Sequence, residues 1–184
     1  MGQSRTEIDS AAQAFIQAQR MFFVASAPLA AEGRINLSPK GLDTFRILSP
    51  KTVGYLDFTG SGVETIAHIR ENRRLTIMFC SFEGSPNILR LYGRGHFVEP
   101  SDPDFAAIRP VFAAADGVRA IILLDVERVT DSCGFGVPLY EFKGHRDQMG
   151  AWARKKGPDG IAEYQRNKNA RSLDGLPGLR SVHS

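Results

Sequence analysis

"LTIMFCSFEGSPNILRLYGRGHFVE", residues 75–99, carries the pattern that decides the fold. Its first eight residues are apolar at nearly every position, which predicts a strand over 75–82 buried on both faces. "EGSPN", residues 83–87, has the composition of a turn. Residues 88–99 then alternate as a long strand, with Leu89 and Leu91 on one face and Arg90 and Tyr92 on the other. Gly93 and Gly95 inside that strand permit a bulge or a strong bend. A strand that bends at glycine beside a deeply buried neighbour belongs to a barrel more readily than to a flat sheet.

Short β-type segments at residues 22–27, 34–38, 45–48 and 53–58 precede this pair, punctuated by Pro28, Gly33, Pro39, Gly41 and Pro50. "RAIILLDVERVT", residues 119–130, is the last strand expected. Helices interrupt the series. The first covers residues 6–20, with Ser10 and Gln13 in capping-box spacing; a short one has Val63, Ile66 and Ile69 on one face and closes at Asn72. "SDPD" at residues 101–104 predicts a helix start, with the helix running to about Ala114. Residues 145–169 read as two helical pieces broken at Gly157-Pro158. The fold class is therefore mainly β with peripheral helices, a small closed or half-closed barrel rather than a doubly wound sheet.

A chain of 184 residues is long enough for one domain with a proper core. The net charge is +3, but residues 1–142 carry −2 and residues 143–184 carry +5, so the basic excess lies in the tail rather than along a nucleic-acid-binding face. No apolar run approaches the ~20 residues of a membrane span and no basic-then-apolar leader is evident, so a cytoplasmic protein is expected. Cys80 and Cys133 lie far apart, without a C-x-x-C pattern, and Cys133 has no basic neighbour in sequence to activate it. His68, His96, His145 and His183 have no metal-ligand spacing and are expected at the surface; no metal is implied.

The best candidate for chemistry is "LDFTGSGVETIAHIREN", residues 56–72. Ser61 and Glu64 have the S-x-x-E spacing of a capping box, a complete explanation that needs no ligand. The same turn, Thr59 to Gly62, places two glycines before a helix N-terminus, where backbone N–H groups and the helix dipole favour an anion. It is neither a P-loop nor a dinucleotide fingerprint. A partner for it exists in "RINLSPKG", residues 34–41, whose Ser38 and Lys40 would meet Ser61 if its strand lies near residues 53–58.

Taken in order, "GRINLSPKGLDTFRIL", "TVGYLDFTGSGVETIAHIRENRRLTIMF" and "ILRLYGRG" resemble the pyridoxamine 5′-phosphate oxidase-like family over about residues 10–130. The resemblance implies a six-stranded antiparallel split β-barrel, a homodimer with FMN between its subunits, and a flavin-dependent oxidoreductase acting on a small molecule. Residue by residue, it implies that Asn36, Leu37, Ser38 and Lys40 line the flavin and its phosphate. Asp57, Phe58 and Thr59 would follow the ribityl chain, Ser61 and Gly62 would hold phosphate, and Arg90 would approach the ring. Residues 1–142 would form the FMN-binding domain; residues 143–184 would be a helical extension of that domain packing on the partner subunit, as in a bacterial subgroup of the family.

Two departures stand out. Where the family has a basic Ser-Arg-Lys-type turn, this chain has Thr59-Gly60-Ser61-Gly62-Val63-Glu64, and no carboxy-terminal Arg-x-His substrate motif is present. The vitamin substrate is thus not implied, no catalytic residue is singled out, and Lys40 or an arginine such as Arg74 must supply the charge the turn lacks. The alternative is a split-barrel module that carries flavin, deazaflavin or haem without turnover.

Overall fold

The computed structural model describes residues 4–182. In chain order the strands are β1 (Ser4–Arg5), β2 (Phe22–Ser26), β3 (Asn36–Lys40), β4 (Phe45–Ser49), β5 (Thr52–Phe58), β6 (Arg74–Cys80), β7 (Ile88–Val98) and β8 (Val118–Ser132). The helices are α1 (Ser10–Ala18), α2 (Glu64–Asn72), α3 (Phe105–Ile108) and α4 (Gln148–Lys168), with a 3₁₀ turn at Arg109–Val111. All pairings between strands are antiparallel, in the order β3-β2-β6-β7-β8-β5-β4, and β1 adds to β8.

The ladder ends at β3 on one side and β4 on the other, so hydrogen bonds do not close the barrel. Side chains close it instead. Phe22 of β2 packs edge-on against Phe45 of β4 at 5.1 Å and Tyr55 of β5 at 5.4 Å, while Phe79 of β6 meets Phe45 at 5.0 Å. These T-shaped contacts draw the two ends of a twisted sheet around one core, which includes Val24, Ile77, Leu91, Ile122 and Leu124. The result is a split barrel, with the split between β3 and the β4–β5 hairpin.

The strand count is eight where six were expected; β1, at two residues, is too short to show any alternation. Gly93 does mark a bulge. Tyr92 pairs with Arg128 but Gly93 with Val126, leaving Glu127 as the extra residue, and a Cβ at Gly93 would run into the carbonyl oxygen of Asp125. In β6 only Leu75, Ile77 and Phe79 reach the core, while Thr76 and Met78 are half-buried on the outer face, which corrects the expectation of burial on both faces. A run of apolar side chains alone did not reveal that one of its faces lacks a full cover.

Three helix ends also differ. The cap of α1 is Asp9, whose carboxylate accepts from Ala12 N at 2.8 Å, so Ser10 is the first helical residue rather than half of a capping box. α3 begins at Phe105 and gives way to 3₁₀ geometry at Arg109, next to Pro110 and well short of Ala114. Asp102, expected to help start it, accepts instead from Glu99 N and pairs with Arg180. The break in α4 falls where expected, with Gly157 at φ 66° beside Pro158.

After α4, residues 169–182 return to the chain's own core. Leu179 is fully buried there, and the buried carboxylate of Glu99 accepts from Arg180 N at 2.7 Å and Ser181 N at 2.9 Å. No helix among the described residues is long and apolar enough to cross a membrane.

Candidate functional site

The split opens into a cleft of about 410 Å³. Asn36, Ser38 and Lys40 line it from β3, Leu56 and Phe58 from β5, and Gly60, Ser61, Gly62, Glu64 and Thr65 from the turn into α2. Alternation explains the β3 side: Ser38 and Lys40 pair with Val24 and Phe22, whose side chains fill the core, so the same face of β3 reaches the split. Leu37 points the opposite way and is 63% exposed.

Asp57 and Thr59 stand behind the cleft wall rather than on it. Asp57 is 1% exposed and holds two cations, Arg119 through Nε at 2.8 Å and Lys40 through Nζ at 3.1 Å. Burial alone would raise the Asp57 carboxyl; the charges and hydrogen bonds of Arg119 and Lys40 outweigh it and hold the group below the ordinary aspartate value. Thr59 is buried and accepts from Gln165 of α4 at 2.8 Å. Arg90 lies elsewhere, on the outer face of β7 between Met78 and Thr130, and donates to Ser132 Oγ at 3.0 Å.

The capping-box expectation for Ser61 and Glu64 is overturned. α2 starts two residues later, with Val63 at its N-cap and no side-chain cap. Glu64 instead folds back beside Gly62 and accepts from Leu173 N at 3.1 Å. Ser61 is exposed and its hydroxyl makes no hydrogen bond among the described residues, and the first N–H groups of α2 have no side-chain acceptor. Close packing between the turn and the C-terminal segment, where Asn169 Nδ2 donates to Gly60 O at 2.8 Å, took Glu64 away from the cap.

Sequence reasoning missed Arg119 and misplaced His68. Arg119 is 6% exposed, lines the cleft, and also donates to Gly62 O at 2.7 Å, so it binds the strand floor to the cradle turn. The available signal was an arginine opening an apolar run at the start of β8. Arg74 is not the substitute cation, because it donates to Pro28 O at 2.9 Å beyond the other end of α2. His68 is 1% exposed, not at the surface; its Nδ1 lies 3.0 Å from Ser26 Oγ. Cys133 is exposed, Cys80 is buried with its thiol pushed up by that burial, and His183 lies outside the described residues.

With Lys40 and Arg119 set against Asp57 and Glu64, the four charges sum to zero. The cleft can hold an anion, but through hydrogen bonds and the start of α2 rather than by excess charge.

Known proteins share this arrangement of strands. Crystal structures of HupZ from Group A Streptococcus (TM-score 0.53, 24% identity, 66% of this chain and 91% of that one) and of a Clostridium acetobutylicum protein related to general stress protein 26 (TM-score 0.51, 10% identity, 67% and 86%) have the same fold. At the level of sequence the chain is 46% identical over 182 residues to the pyridoxamine 5′-phosphate oxidase family protein ustO of Aspergillus flavus, covering 89% of this chain and 72% of that protein. The pattern of the pyridoxamine 5′-phosphate oxidase family matches residues 8–133, which run from the entry to α1 through the end of β8 and include every residue of the cleft but Met149. A split barrel with its cleft at the split, together with these matches, means that the chain belongs to the pyridoxamine 5′-phosphate oxidase family.

Proposed function

We propose that the cleft binds FMN and that the protein is an FMN-dependent oxidoreductase of a small molecule, assembled as a homodimer with the cofactor at the subunit boundary. The observation that carries this reading is the convergence of Asn36, Ser38, Lys40, Phe58, Ser61 and Gly62, from three separate segments, on one cleft. The donor set suits a phosphate monoester: a free Ser61 hydroxyl, a glycine at position 62, an uncapped helix turn, and Lys40 with Arg119. Glu64 is the opposing group, held aside by Leu173 N. A bound flavin supplies hydride transfer, while the chain orients it and sets the polarity around it.

The outer face of the sheet supports the dimer. Phe23, Met78, Arg90 and Thr130 form one row across four strands, and Leu37, Ala25, Thr76, Tyr92 and Arg128 form the next. A partner laid on these rows would bring Leu37 and Arg90 to the shared boundary, beside the cofactor. Protein reconstituted with excess FMN and then desalted retains flavin absorbance on this reading; a colourless protein refutes it.

A second reading, a carrier of flavin, deazaflavin or haem without turnover, is favoured by one observation. Each charged group of the cleft is engaged: Lys40 and Arg119 on Asp57, Glu64 on Leu173 N, which leaves no free acid or base. Reduction of the bound cofactor by NADH or NADPH separates the two readings, since a carrier is not turned over.

Ser61→Ala distinguishes a ligand-holding hydroxyl from a structural one. Because no cap is lost, stability should stay within roughly 0.5 kcal/mol of the parent. The FMN dissociation constant should rise roughly tenfold, as for a lost hydrogen bond to a charged group. Equal FMN affinity, measured by fluorescence quenching, would remove Ser61 from the site.

A further inference from the structure

Behind the β3 wall of the cleft runs a buried chain of hydrogen bonds that the proposed cofactor chemistry does not use. His68 Nδ1 lies 3.0 Å from Ser26 Oγ, and Ser26 is 5% exposed at the end of β2. Asn36 Nδ2 donates to Ser26 Oγ at 3.2 Å and to Thr65 Oγ1 at 2.9 Å, and Asn36 Oδ1 accepts from Ser38 Oγ at 3.1 Å. Asn36, Ser38 and Thr65 all line the cleft, whereas His68 and Ser26 do not.

Each hydroxyl has one proton, so the chain has a direction. When Nδ1 of His68 is unprotonated, Ser26 donates to it and must accept from Asn36. The amide nitrogen then faces Ser26 and Thr65 while Oδ1 faces Ser38. Ser38 spends its proton inward and turns lone pairs to the cleft; Thr65 accepts from the amide, and its own proton lies between the cleft and the buried Tyr55 hydroxyl. When Nδ1 carries a proton, every bond reverses. Ser26 accepts from His68 and donates to Asn36, the amide turns over, Thr65 donates to Oδ1, and the proton of Ser38 is released to the cleft.

We propose that His68 is a positioning residue for the cleft: the proton on its Nδ1 decides, through Ser26, which way the Asn36 amide faces and so whether Ser38 or Thr65 offers a hydrogen to the ligand. Burial pushes the His68 imidazole below its ordinary value, while Glu64 and Glu71 of its own helix and Asp174 of the C-terminal segment pull it back up. Asp174 is itself paired with Arg34 from the loop before β3. The neutral ring holds its one proton on Nε2 in the first arrangement, and acid, by adding a proton at Nδ1, drives the reversal.

The test on the chain alone is NMR of ¹⁵N-labelled protein without added ligand, following the ring nitrogens of His68 and the side-chain amide of Asn36 from about pH 8 to about pH 5. The Asn36 amide should move with the same midpoint as the ring, and Ser26→Ala should uncouple the two while the ring still titrates. An Asn36 amide that stays put while the ring titrates overturns the proposal, and this arm needs no variant.

The ligand side rests on the FMN reading and is measured with FMN itself. The ligand's phosphate titrates near pH 6 in any variant, so only the difference between proteins counts. The parent's affinity should change roughly three- to tenfold more across this range than that of Ser26→Ala, the worth of one or two hydrogen bonds. Identical profiles overturn the coupling to the ligand. Absence of FMN binding at every pH refutes the FMN reading alone, and the NMR result then decides the role of His68.

Discussion

Asp57→Asn is expected to lower the stability of the protein by about 3–5 kcal/mol, because it leaves the buried Arg119 guanidinium without its counter-charge. The pair is well formed: Asp57 has no exposed side-chain surface and Arg119 only 6%, with Nε to Oδ2 at 2.8 Å. Urea unfolding measures the loss as a shift in midpoint at unchanged slope. A shift worth less than about 1 kcal/mol would show that the two cations find other partners at little cost. The same substitution leaves Lys40 and Arg119 opposed only by Glu64, so affinity for FMN should rise even as stability falls. A purely structural pair would give the first effect without the second.

The pH dependence has a definite sign. The Asp57 carboxyl is held below its ordinary value of 3.8, so the unfolded chain takes up its proton first as the solution is acidified. Its contribution to stability is complete above that ordinary value and is lost as pH falls through the depressed one. Acid unfolding of the parent should contain this component, and Asp57→Asn should lack it.

Leu179→Ala is expected to cost about 2–5 kcal/mol, the usual price of a cavity at a fully buried leucine. Leu179 has no exposed surface and belongs to the same core as Phe22, Tyr55 and Val63. The segment that carries it is tied to the cradle turn by Asn169 to Gly60 O, next to the bond from Gln165 of α4 to Thr59, so loosening it should also weaken FMN binding. A loss below about 1 kcal/mol would mean that the C-terminal segment is a surface attachment. Differential scanning calorimetry reads the difference, expected at several degrees for a chain of this length.

Much of the barrel was legible because its signals are local. β7 was recognisable from its alternation, and Gly93 and Gly95 marked it as able to bend or bulge; the structure puts the bulge at Gly93, where a side chain has no room. The kink at Gly157 followed from a glycine before a proline. Local signals erred where two neighbours compete for one role: Asp9 and Ser10 both suit an N-cap, and only the backbone path chooses Asp9. They erred again at Glu64, whose carboxylate had a second suitor in Leu173 N, 109 residues away.

By itself, the sequence marked seven of the eight strands, all but β1, their mostly antiparallel connections, and the shared face of Ser38 and Lys40 on β3, since period-two alternation decides the face of a strand before its partner is known. Only the tertiary structure decided which polar groups satisfy one another inside the cleft. Arg119 reaches Asp57 across 62 residues and His68 reaches Ser26 across 42. Such partners are chosen by strand register and by the approach of a helix to a sheet. A buried donor must be satisfied by whatever that approach brings near, and no spacing along the chain records it.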